Sequence, residues 1–364
     1  MVGAENITGA DDDILFARHG AAGLITLNRP RALNALSLAM IRAMHARLSA
    51  WATDDTVTRV VVRGTGGRAF CAGGDVRAIH ALATAGRDAE VDAFWHGEYA
   101  LDALVQGYDK PIVSLIDGIA MGGGNGISLH GRHRIAAEGY RFAMPEVGIG
   151  FFPDVGMTHA LPRLPHRAGH YLALTGATIG PGDALALGLA THAVPAARFD
   201  DLVADLALGD DVADTLAAYA DTPPPPGPVM AHRALIDACF SEADVPGILS
   251  RLDAAAHDGS LSAADAAFAR ETAALMRTRS PTSLCIAHLQ MQRGAAMSFA
   301  ACMAAEARLA AFLMRGHDFF EGVRAALIDK DGAPVWNPAR LDDVDGAAIR
   351  SAFEGSNGLA PSAP

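Results

Sequence analysis

The sequence has few cysteines, and their spacing does not suit a zinc site. The four cysteines, Cys71, Cys239, Cys285 and Cys302, are widely separated and form no CxxC pair. Their neighbours are apolar or rich in alanine, which is typical of buried free thiols. We therefore expect neither a disulfide bond nor a bound zinc ion.

Basic residues are scarce relative to acidic ones. The 364 residues include 29 Lys and Arg against 41 Asp and Glu, which gives a formal net charge of −12 at pH 7. So acidic a chain repels phosphate backbones and anionic membrane surfaces, so neither nucleic acid nor a membrane is expected as a partner. A small anionic ligand would need a local group of basic residues.

Long apolar runs are also missing. Arg, His, Asp or Gly interrupts each apolar stretch well before the ~20 residues that a membrane-spanning helix needs. The first residues, MVGAENITGADDD, are acidic and lack the layout of a secretory or mitochondrial targeting segment. These features favour a cytoplasmic protein, and the ends of the chain, residues 1–11 and 353–364, are predicted to be flexible tails.

The first half of the chain alternates between strand-like and helix-like patterns. Residues 14–28 predict a hairpin around a glycine-containing turn, and apolar residues at three- and four-residue steps predict a helix that begins near Ser37. Short apolar runs bounded by Gly, Pro or Asp predict further strands at Val60–Val62, Ile112–Ile116 and His133–Ala137. Strands that alternate with helices indicate an α/β fold with parallel crossovers.

A proline-rich run, Thr222–Pro228, separates this part from a more helical one. It is predicted to be a linker or an extended surface crossing, because prolines lack the backbone donor and fix φ. The following sequence is mostly helix-like, and Ser298–Arg315 has a cap at Ser298 and a stop at Gly316. We predict an α/β core over residues 12–221 and a helical C-terminal region over residues 229–352 that completes the fold.

Two glycine-rich segments each follow a predicted strand. Gly122–Gly124 follows the strand that ends near Asp117, and Ala72–Asp75 follows the Val60–Val62 strand. Glycines at such positions let a carbonyl oxygen approach backbone N–H groups, although each segment alone is equally consistent with a tight turn. Neither segment matches a phosphate-binding P-loop or a dinucleotide fingerprint, so no nucleotide cofactor is predicted.

Two carboxylates lie in an unusually apolar stretch. Glu146 has Met144, Val147 and Ile149 as neighbours, where a buried carboxylate is costly without a partner or a function. The alternative is an ordinary exposed loop residue. Asp154 follows Pro153, where it is either a helix cap, a catalytic group, or both.

These segments, in this order, resemble the crotonase (enoyl-CoA hydratase/isomerase) superfamily. The resemblance runs from about Ile14 to Val344 and includes FCAGGD, MGGG, MPEVGIGFFPDVG and SPTSL. The stretch MRGHDFFEGVRAALIDKDGAPVW, residues 314–336, is similar to the 3-hydroxyisobutyryl-CoA hydrolase branch of the superfamily. The family's fold is a spiral of ββα units with a helical C-terminal region.

The resemblance also implies roles for individual residues. The backbone N–H groups of Gly74 and Gly123 would form an oxyanion hole, Glu146 would be the main catalytic carboxylate and Asp154 its catalytic partner. Residues that match substrate-binding positions are Glu98, Arg31, Ala32, Ala72, Gly73, Asp75 and Gly122. An acyl-CoA would be the substrate, no separate cofactor would be needed because coenzyme A is part of it, and a homo-oligomer is possible.

One departure from the superfamily pattern separates two activities. Enoyl-CoA hydratases carry a second catalytic Glu three residues after the middle glycine of the triple glycine, and here that residue is Gly126. We therefore expect hydrolysis of a short branched 3-hydroxyacyl-CoA such as 3-hydroxyisobutyryl-CoA, a step of valine breakdown. The alternatives are an enoyl-CoA isomerase or hydratase, and a non-catalytic relative that binds CoA or RNA. The acidic charge disfavours RNA.

Two histidine-containing segments receive structural interpretations. His317-Asp318 follows a helix stop and is predicted to be a turn that bonds to the backbone. His130, Arg132 and His133 are predicted to be solvated, because they lack the spacing of a metal site.

Overall fold

The computed structural model describes residues 5–8 and 12–355, and contacts between Cα atoms divide the chain into two compact units. Unit 1 is formed by Met1–Asp75, Asp92–Phe142 and Ile179–Gly227, and unit 2 by Val76–Val91, Ala143–Thr178 and Pro228–Pro364. Of the predicted tails, residues 1–4, 9–11 and 356–364 lie outside the described residues.

Ten strands and seventeen α-helices are present in the described residues. The strands are β1 Glu5–Thr8, β2 Ile14–His19, β3 Ala22–Leu27, β4 Arg59–Gly64, β5 Ala69–Cys71, β6 Ile112–Ile116, β7 Ile119–Met121, β8 His133–Ala136, β9 Arg141–Ala143 and β10 His192–Ala193. The helices are α1 Leu38–Ala52, α2 Val76–Thr84, α3 Asp88–Gln106, α4 Gly123–Leu129, α5 Met157–Ala160, α6 Ala168–Thr175, α7 Pro181–Ala186, α8 Phe199–Leu206, α9 Val212–Tyr219, α10 Pro228–Ala231, α11 Arg233–Cys239, α12 Val245–Ala256, α13 Ala263–Arg277, α14 Pro281–Arg293, α15 Phe299–Leu313, α16 Asp318–Val323 and α17 Gly346–Glu354.

The strands form two sheets. The larger has the order β1-β2-β3-β4-β6-β8-β10, and the smaller has the order β5-β7-β9. The β2–β3 pair is the predicted hairpin, with Ile14 opposite Leu27. From β3 onward the pairs in the larger sheet are parallel. The three short apolar runs are therefore neighbouring parallel strands, as predicted.

The middle of the chain repeats a strand–strand pattern. In β4–β5, β6–β7 and β8–β9, the first strand joins the larger sheet and the second joins the smaller one. Helices follow the first two pairs, so the chain winds through ββα units. This is the predicted crotonase-type arrangement, and it brings successive loops to one edge of the smaller sheet.

The core of unit 1 lies between the larger sheet and two helices of the same unit. Leu24, Val61, Val113 and Ile135, from four adjacent strands, pack in one buried cluster with residues of α8 and α9. Each such aliphatic side chain contributes roughly 1.5–3 kcal/mol when it is fully buried. This burial fixes β4 and β6, and β5 and β7, which carry the glycine-rich loops, follow these two strands directly in the chain.

The helix predicted to start near Ser37 begins one residue later. Ser37 is extended and its side chain accepts a hydrogen bond from the Met40 N–H, which satisfies one donor of the first helical turn. Met40, Ile41, Met44, Leu48 and Trp51 are buried on the inner face of α1. The periodicity predicted an apolar face formed by Leu38, Ile41, Met44, Leu48 and Trp51. All of these are buried except Leu38, which is half-buried, and Met40 is buried in addition.

Unit 2 is mostly helical. Ser298 caps α15 by accepting from the Ala301 N–H, as predicted. The proline-rich run is irregular up to Gly227, where the chain leaves unit 1. Pro228 is the first residue of α10, because a proline at that position needs no intrahelical donor. In the part of the chain that the structure describes, no helix is both long and apolar enough to cross a membrane.

The compact units differ from a simple division at the proline-rich run. Segments 76–91 and 143–178 precede that run, yet they group with the C-terminal helices. One reason is that α6 packs against α14 and α13, which follow it by about a hundred residues. Likewise, Glu5–Thr8 pairs with β2 and Phe353 lies in α17, so the predicted tails extend too far into the chain.

Candidate active site

Two neighbouring strands carry the predicted oxyanion loops. β5 and β7 are parallel, with Ala69 opposite Ile119 and Cys71 opposite Ala120. Parallel strands end at the same edge of a sheet, so the glycines that follow Cys71 and Met121 are brought together within unit 1. The sequence placed these loops after the Val60–Val62 strand and the strand that ends near Asp117, whereas each loop follows a further short strand, β5 or β7, that was not predicted. The pairing of β5 with β7 explains why the loops meet.

The glycines at these strand ends approach each other and Glu98 closely. A Cβ placed on Gly123 would lie 3.3 Å from the backbone nitrogen of Gly74 and 2.1 Å from Oε1 of Glu98. A Cβ on Gly74 would lie 3.4 Å from the same Oε1 and 3.0 Å from the ring of Phe94. Glu98, on α3, is only 2% exposed. The structure thus brings Gly74, Gly123 and Glu98 together, and there is no room for a side chain at position 123.

Backbone conformation reinforces this arrangement. Gly73 has φ +106° and Gly122 has φ +48°, conformations that residues with a Cβ rarely adopt. Gly123 is the first residue of α4, where backbone N–H groups have no acceptor within the helix. The predicted substrate-binding positions Gly73 and Gly122 therefore shape the two turns that directly precede Gly74 and Gly123.

A third loop is bonded to this pair. Leu33 O accepts the Ala72 N–H at 3.0 Å, and Gly73 O accepts the Leu36 N–H at 2.8 Å. Asp75 N donates in turn to Leu36 O at 2.9 Å. These bonds join the segment that contains Arg31 and Ala32 to Ala72, Gly73 and Asp75. All the predicted substrate-binding residues therefore lie in or beside one group of loops in unit 1.

The two arginines of this third loop, Arg29 and Arg31, have different surroundings. The Arg29 guanidinium lies 3.3 Å from the Asp75 carboxylate and 3.1 Å from that of Asp13, and it donates to Ala35 O. Arg31 is exposed on a short 3-10 helix, Pro30–Ala32. Since Arg29 is paired with two carboxylates, Arg31 is the better placed of the two to meet an anionic ligand.

Burial affects one further group at these loops. The Cys71 thiol is fully buried, and desolvation, with a smaller contribution from the Glu98 charge, raises its pKa to about 12. Such a thiol stays protonated at neutral pH and is not a nucleophile. Cys239 and Cys302 are also buried, Cys285 is half-buried, and all four are free cysteines.

The two predicted catalytic carboxylates lie in unit 2, and both are buried. Glu146 begins a 3-10 helix, Glu146–Ile149, and is 7% exposed, whereas Asp154 is 4% exposed. Gly150 ends the 3-10 helix at φ +72°, and a Cβ there would lie 2.0 Å from Asp318 O. The alternative of an exposed loop Glu is therefore wrong for Glu146.

A further buried carboxylate, that of Glu306, was not predicted from the sequence. Glu306 on α15 is 0% exposed, and its carboxylate accepts the N–H groups of Gly156 at 2.8 Å and Thr158 at 2.9 Å. Burial, and next the negative charge of Asp154, raise the pKa of Glu306 to about 8. A signal existed in the sequence, because Glu306 is the one charged residue on the apolar face formed by Cys302, Leu309, Ala310 and Leu313.

Hydrogen bonds hold the His317-Asp318 segment in place. The Asp318 carboxylate is buried and accepts from Ser280 Oγ at 2.6 Å and from the Asn337 N–H at 2.8 Å. His317 Nδ1 lies 3.2 Å from the same carboxylate. These bonds join three chain segments, which agrees with a structural role. No cluster of three or more His, Cys, Asp or Glu residues that could hold a metal ion is found among residues 12–355.

Comparisons with known proteins identify the family. The family model for enoyl-CoA hydratase/isomerase matches residues 22–353. A 3-hydroxyisobutyryl-CoA hydrolase, mitochondrial, from Xenopus tropicalis is 42% identical over 96% of this chain and 90% of its own length.

Two solved structures are also similar over nearly the whole chain. A carnitinyl-CoA dehydratase from Mycobacterium thermoresistibile is 39% identical with a TM-score of 0.87 and covers 97% of this chain and 98% of its own. An enoyl-CoA hydratase from Rhodobacter sphaeroides 2.4.1 is 38% identical with a TM-score of 0.84, covering 94% and 97%. The chain therefore belongs to the enoyl-CoA hydratase/isomerase (crotonase) family, in the branch of the 3-hydroxyisobutyryl-CoA hydrolases.

Proposed function

We propose that the protein hydrolyses the thioester of 3-hydroxyisobutyryl-CoA to 3-hydroxyisobutyrate and CoA. Its similarity to hydrolases of that name over most of both chains supports this substrate. Position 126, a buried glycine within α4, is the observation that favours hydrolysis over hydration. A two-carboxylate hydratase mechanism would need a Glu there.

The thioester carbonyl is proposed to bind the backbone N–H groups of Gly74 and Gly123. Attack on the carbonyl carbon places negative charge on its oxygen, and donors already fixed by the β5 and β7 ends stabilise that charge without rearrangement. Each such donor contributes roughly 3–4 kcal/mol in other acyl-transfer enzymes. Arg31 and the loop bonded to Ala72 and Gly73 would meet the CoA portion.

Glu146 is proposed to be the catalytic carboxylate. It either attacks the carbonyl to form a mixed anhydride, which water then cleaves, or removes a proton from an attacking water. In both cases the carbon–sulfur bond breaks and the CoA thiolate takes up a proton. Asp154 would orient or activate water, or bind the 3-hydroxyl group, and Glu98 would help to hold the acyl end. No separate cofactor is required for these steps.

A hydratase is the second candidate, because both similar structures are named for hydration or dehydration. The two functions are separated by one preparation and two substrates. CoA released from 3-hydroxyisobutyryl-CoA is followed with a thiol reagent, and loss of the enoyl absorbance of crotonyl-CoA reports hydration. We expect thiol release from the first substrate and no useful hydration of the second. Hydration at a rate comparable to thiol release would overturn the proposal.

The cellular compartment and the oligomeric state of the protein are also proposals. A cytoplasmic protein was expected, whereas the Xenopus tropicalis hydrolase is named mitochondrial. Fractionation of cells that express the chain at its native level decides between the two. Sedimentation of the purified protein tests the proposed homo-oligomer.

A further inference from the structure

The segment that contains Asp154 has an unusual backbone. Here we call residues 153–158 the Asp154 loop. Val155 has φ +50° and Gly156 has φ +83°. A left-handed conformation is unfavourable for a β-branched residue such as valine, so it persists only where the surroundings hold it in place. Asp154 immediately precedes this turn.

Two buried side chains from other helices hold the loop. Glu306 of α15 accepts the N–H groups of Gly156 and Thr158, at 2.8 and 2.9 Å. Gln290 of α14 donates from Nε2 to Pro153 O at 3.0 Å and to Thr158 Oγ1 at 2.6 Å. The N-cap residue of α5 is Gly156, which has no side chain, so Glu306 supplies the acceptor that a capping side chain would otherwise provide.

Glu306 and Asp154 also interact through charge. The charge of Asp154 is the second-largest cause of the raised pKa of Glu306, after burial. An electrostatic effect between two groups is mutual, so a change at Glu306 affects both the position and the surroundings of the Asp154 carboxylate.

We infer that Glu306 is a positioning residue for the reaction, which acts through Asp154 by fixing the Asp154 loop from the α15 helix. The inference rests on the proposed function, in which Asp154 handles water or the 3-hydroxyl group. Displacement of a catalytic group by about 1 Å can lower turnover by roughly 10²-fold. The two hydrogen bonds that the Glu306 carboxylate accepts hold the Asp154 loop in place to that accuracy.

The test is a double-mutant cycle with Glu306→Gln and Asp154→Asn, with CoA release as the assay. Glutamine keeps one acceptor oxygen but turns an NH₂ group toward the second backbone N–H. We expect Glu306→Gln to lower kcat by roughly 10- to 100-fold with KM changed by less than about twofold. In the Asp154→Asn background the same substitution should lower kcat by less than about threefold, because the residue it positions no longer acts.

A matched control separates positioning from general loss of stability. Asp183 is a buried carboxylate in unit 1 that accepts the Gly227 N–H at 2.9 Å. Asp183→Asn should lower the thermal midpoint without changing kcat at a temperature well below that midpoint. If Glu306→Gln does not accumulate as folded protein, Glu306→Asp takes its place in the cycle, because it keeps a carboxylate but withdraws it by one methylene.

Three results would overturn the inference. The first is a kcat of Glu306→Gln within twofold of the wild-type value. The second is a fall in kcat on Glu306→Gln that is as large in the Asp154→Asn background as in the wild type. The third is an unchanged kcat in Asp154→Asn alone. Failure of the proposed function is distinguishable, because the wild-type protein itself would then release no CoA.

Discussion

Substitution of Gly123 by alanine tests the proposed oxyanion site most directly. The added methyl carbon would lie 2.1 Å from Oε1 of Glu98 and 3.3 Å from the backbone nitrogen of Gly74. Contacts between carbon and other heavy atoms are optimal near 3.5–4.0 Å, so the Glu98 carboxylate must move by about 1 Å or more. The change is thus small in volume but falls between three of the proposed site residues.

Two free energies follow from this geometry. Insertion of a methyl group into a packed site costs roughly 1–3 kcal/mol of stability. The lower part of this range is expected, because the clashing atom is the end of a side chain and can shift without moving the backbone. The new methyl group would also lie beside the Gly74 nitrogen and obstruct its N–H. Loss of one oxyanion donor costs about 2.7–4 kcal/mol in the transition state, which lowers kcat by roughly 10²–10³-fold. The loss of activity should therefore exceed the loss of stability.

The assay is kcat and KM for CoA release from 3-hydroxyisobutyryl-CoA, with the thermal midpoint of the same preparation. Gly259→Ala is the matched control, because a Cβ there meets no atom within 4 Å. It should leave both kcat and the midpoint nearly unchanged. A second variant, Gly123→Ala with Glu98→Ala, removes the clash and should recover stability without recovering turnover.

The reasoning fails if Gly123→Ala alone keeps kcat within about threefold of the wild-type value. In that case neither access to the Gly74 N–H nor the position of Glu98 would matter for thioester cleavage. Recovery of full turnover in the double variant would instead assign the effect to the clash, and would show that Glu98 itself is dispensable.

Three further predictions concern the carboxylates of unit 2. Glu146→Gln removes a charge at almost constant volume, so kcat should fall by at least about 10²-fold while the thermal midpoint stays close to that of the wild type. Activity within tenfold would exclude Glu146 as the catalytic carboxylate. Asp154→Asn should fold normally and lose kcat within the ~10²–10⁴-fold range of acid–base groups, whereas an unchanged kcat would assign Asp154 a structural role. The pKa of Glu306 is raised to about 8 from an ordinary 4.5, so between these values the folded protein retains a proton that the unfolded chain releases. This residue therefore makes the free energy of unfolding fall as the pH rises from about 5 to 8. Urea unfolding at both pH values should show a smaller decline for Glu306→Gln, and an equal decline would contradict the prediction.

Local signals in the sequence predicted much of the fold. The start of a helix near Ser37, the cap at Ser298 and the short apolar runs such as Val60–Val62 depend on neighbouring residues, so they are readable without a structure. The end of the helix capped by Ser298 was predicted less well, because α15 ends at Leu313, before the predicted stop at Gly316. The two glycine-rich segments were also recognisable, because glycine is strongly favoured where φ is positive, as at Gly73. Their convergence follows from strand order once the strands are known to be parallel.

The grouping of distant segments was not readable in the same way. Residues 143–178 carry Glu146 and Asp154, yet they group with helices that begin after Pro228. The bond from Gly156 N–H to Glu306 spans 150 residues of sequence. No periodicity or spacing rule connects residues so far apart. The family resemblance indicated Glu98 as a substrate-binding residue but did not place it beside Gly123.

Glu306 shows which kind of sequence signal remains useful at long range. A buried carboxylate costs several kcal/mol unless hydrogen bonds or a pKa shift compensate for it. A single Glu on the apolar face of α15 therefore had to have a polar partner, even though the sequence could not identify that partner. In the structure, the partner is the backbone of a turn in which Val155 is left-handed. The cost of burying Glu306 and the strain at Val155 are thus offset by the same pair of hydrogen bonds. Because these bonds fix the turn beside Asp154, we expect substitutions at Glu306 to affect turnover more than stability.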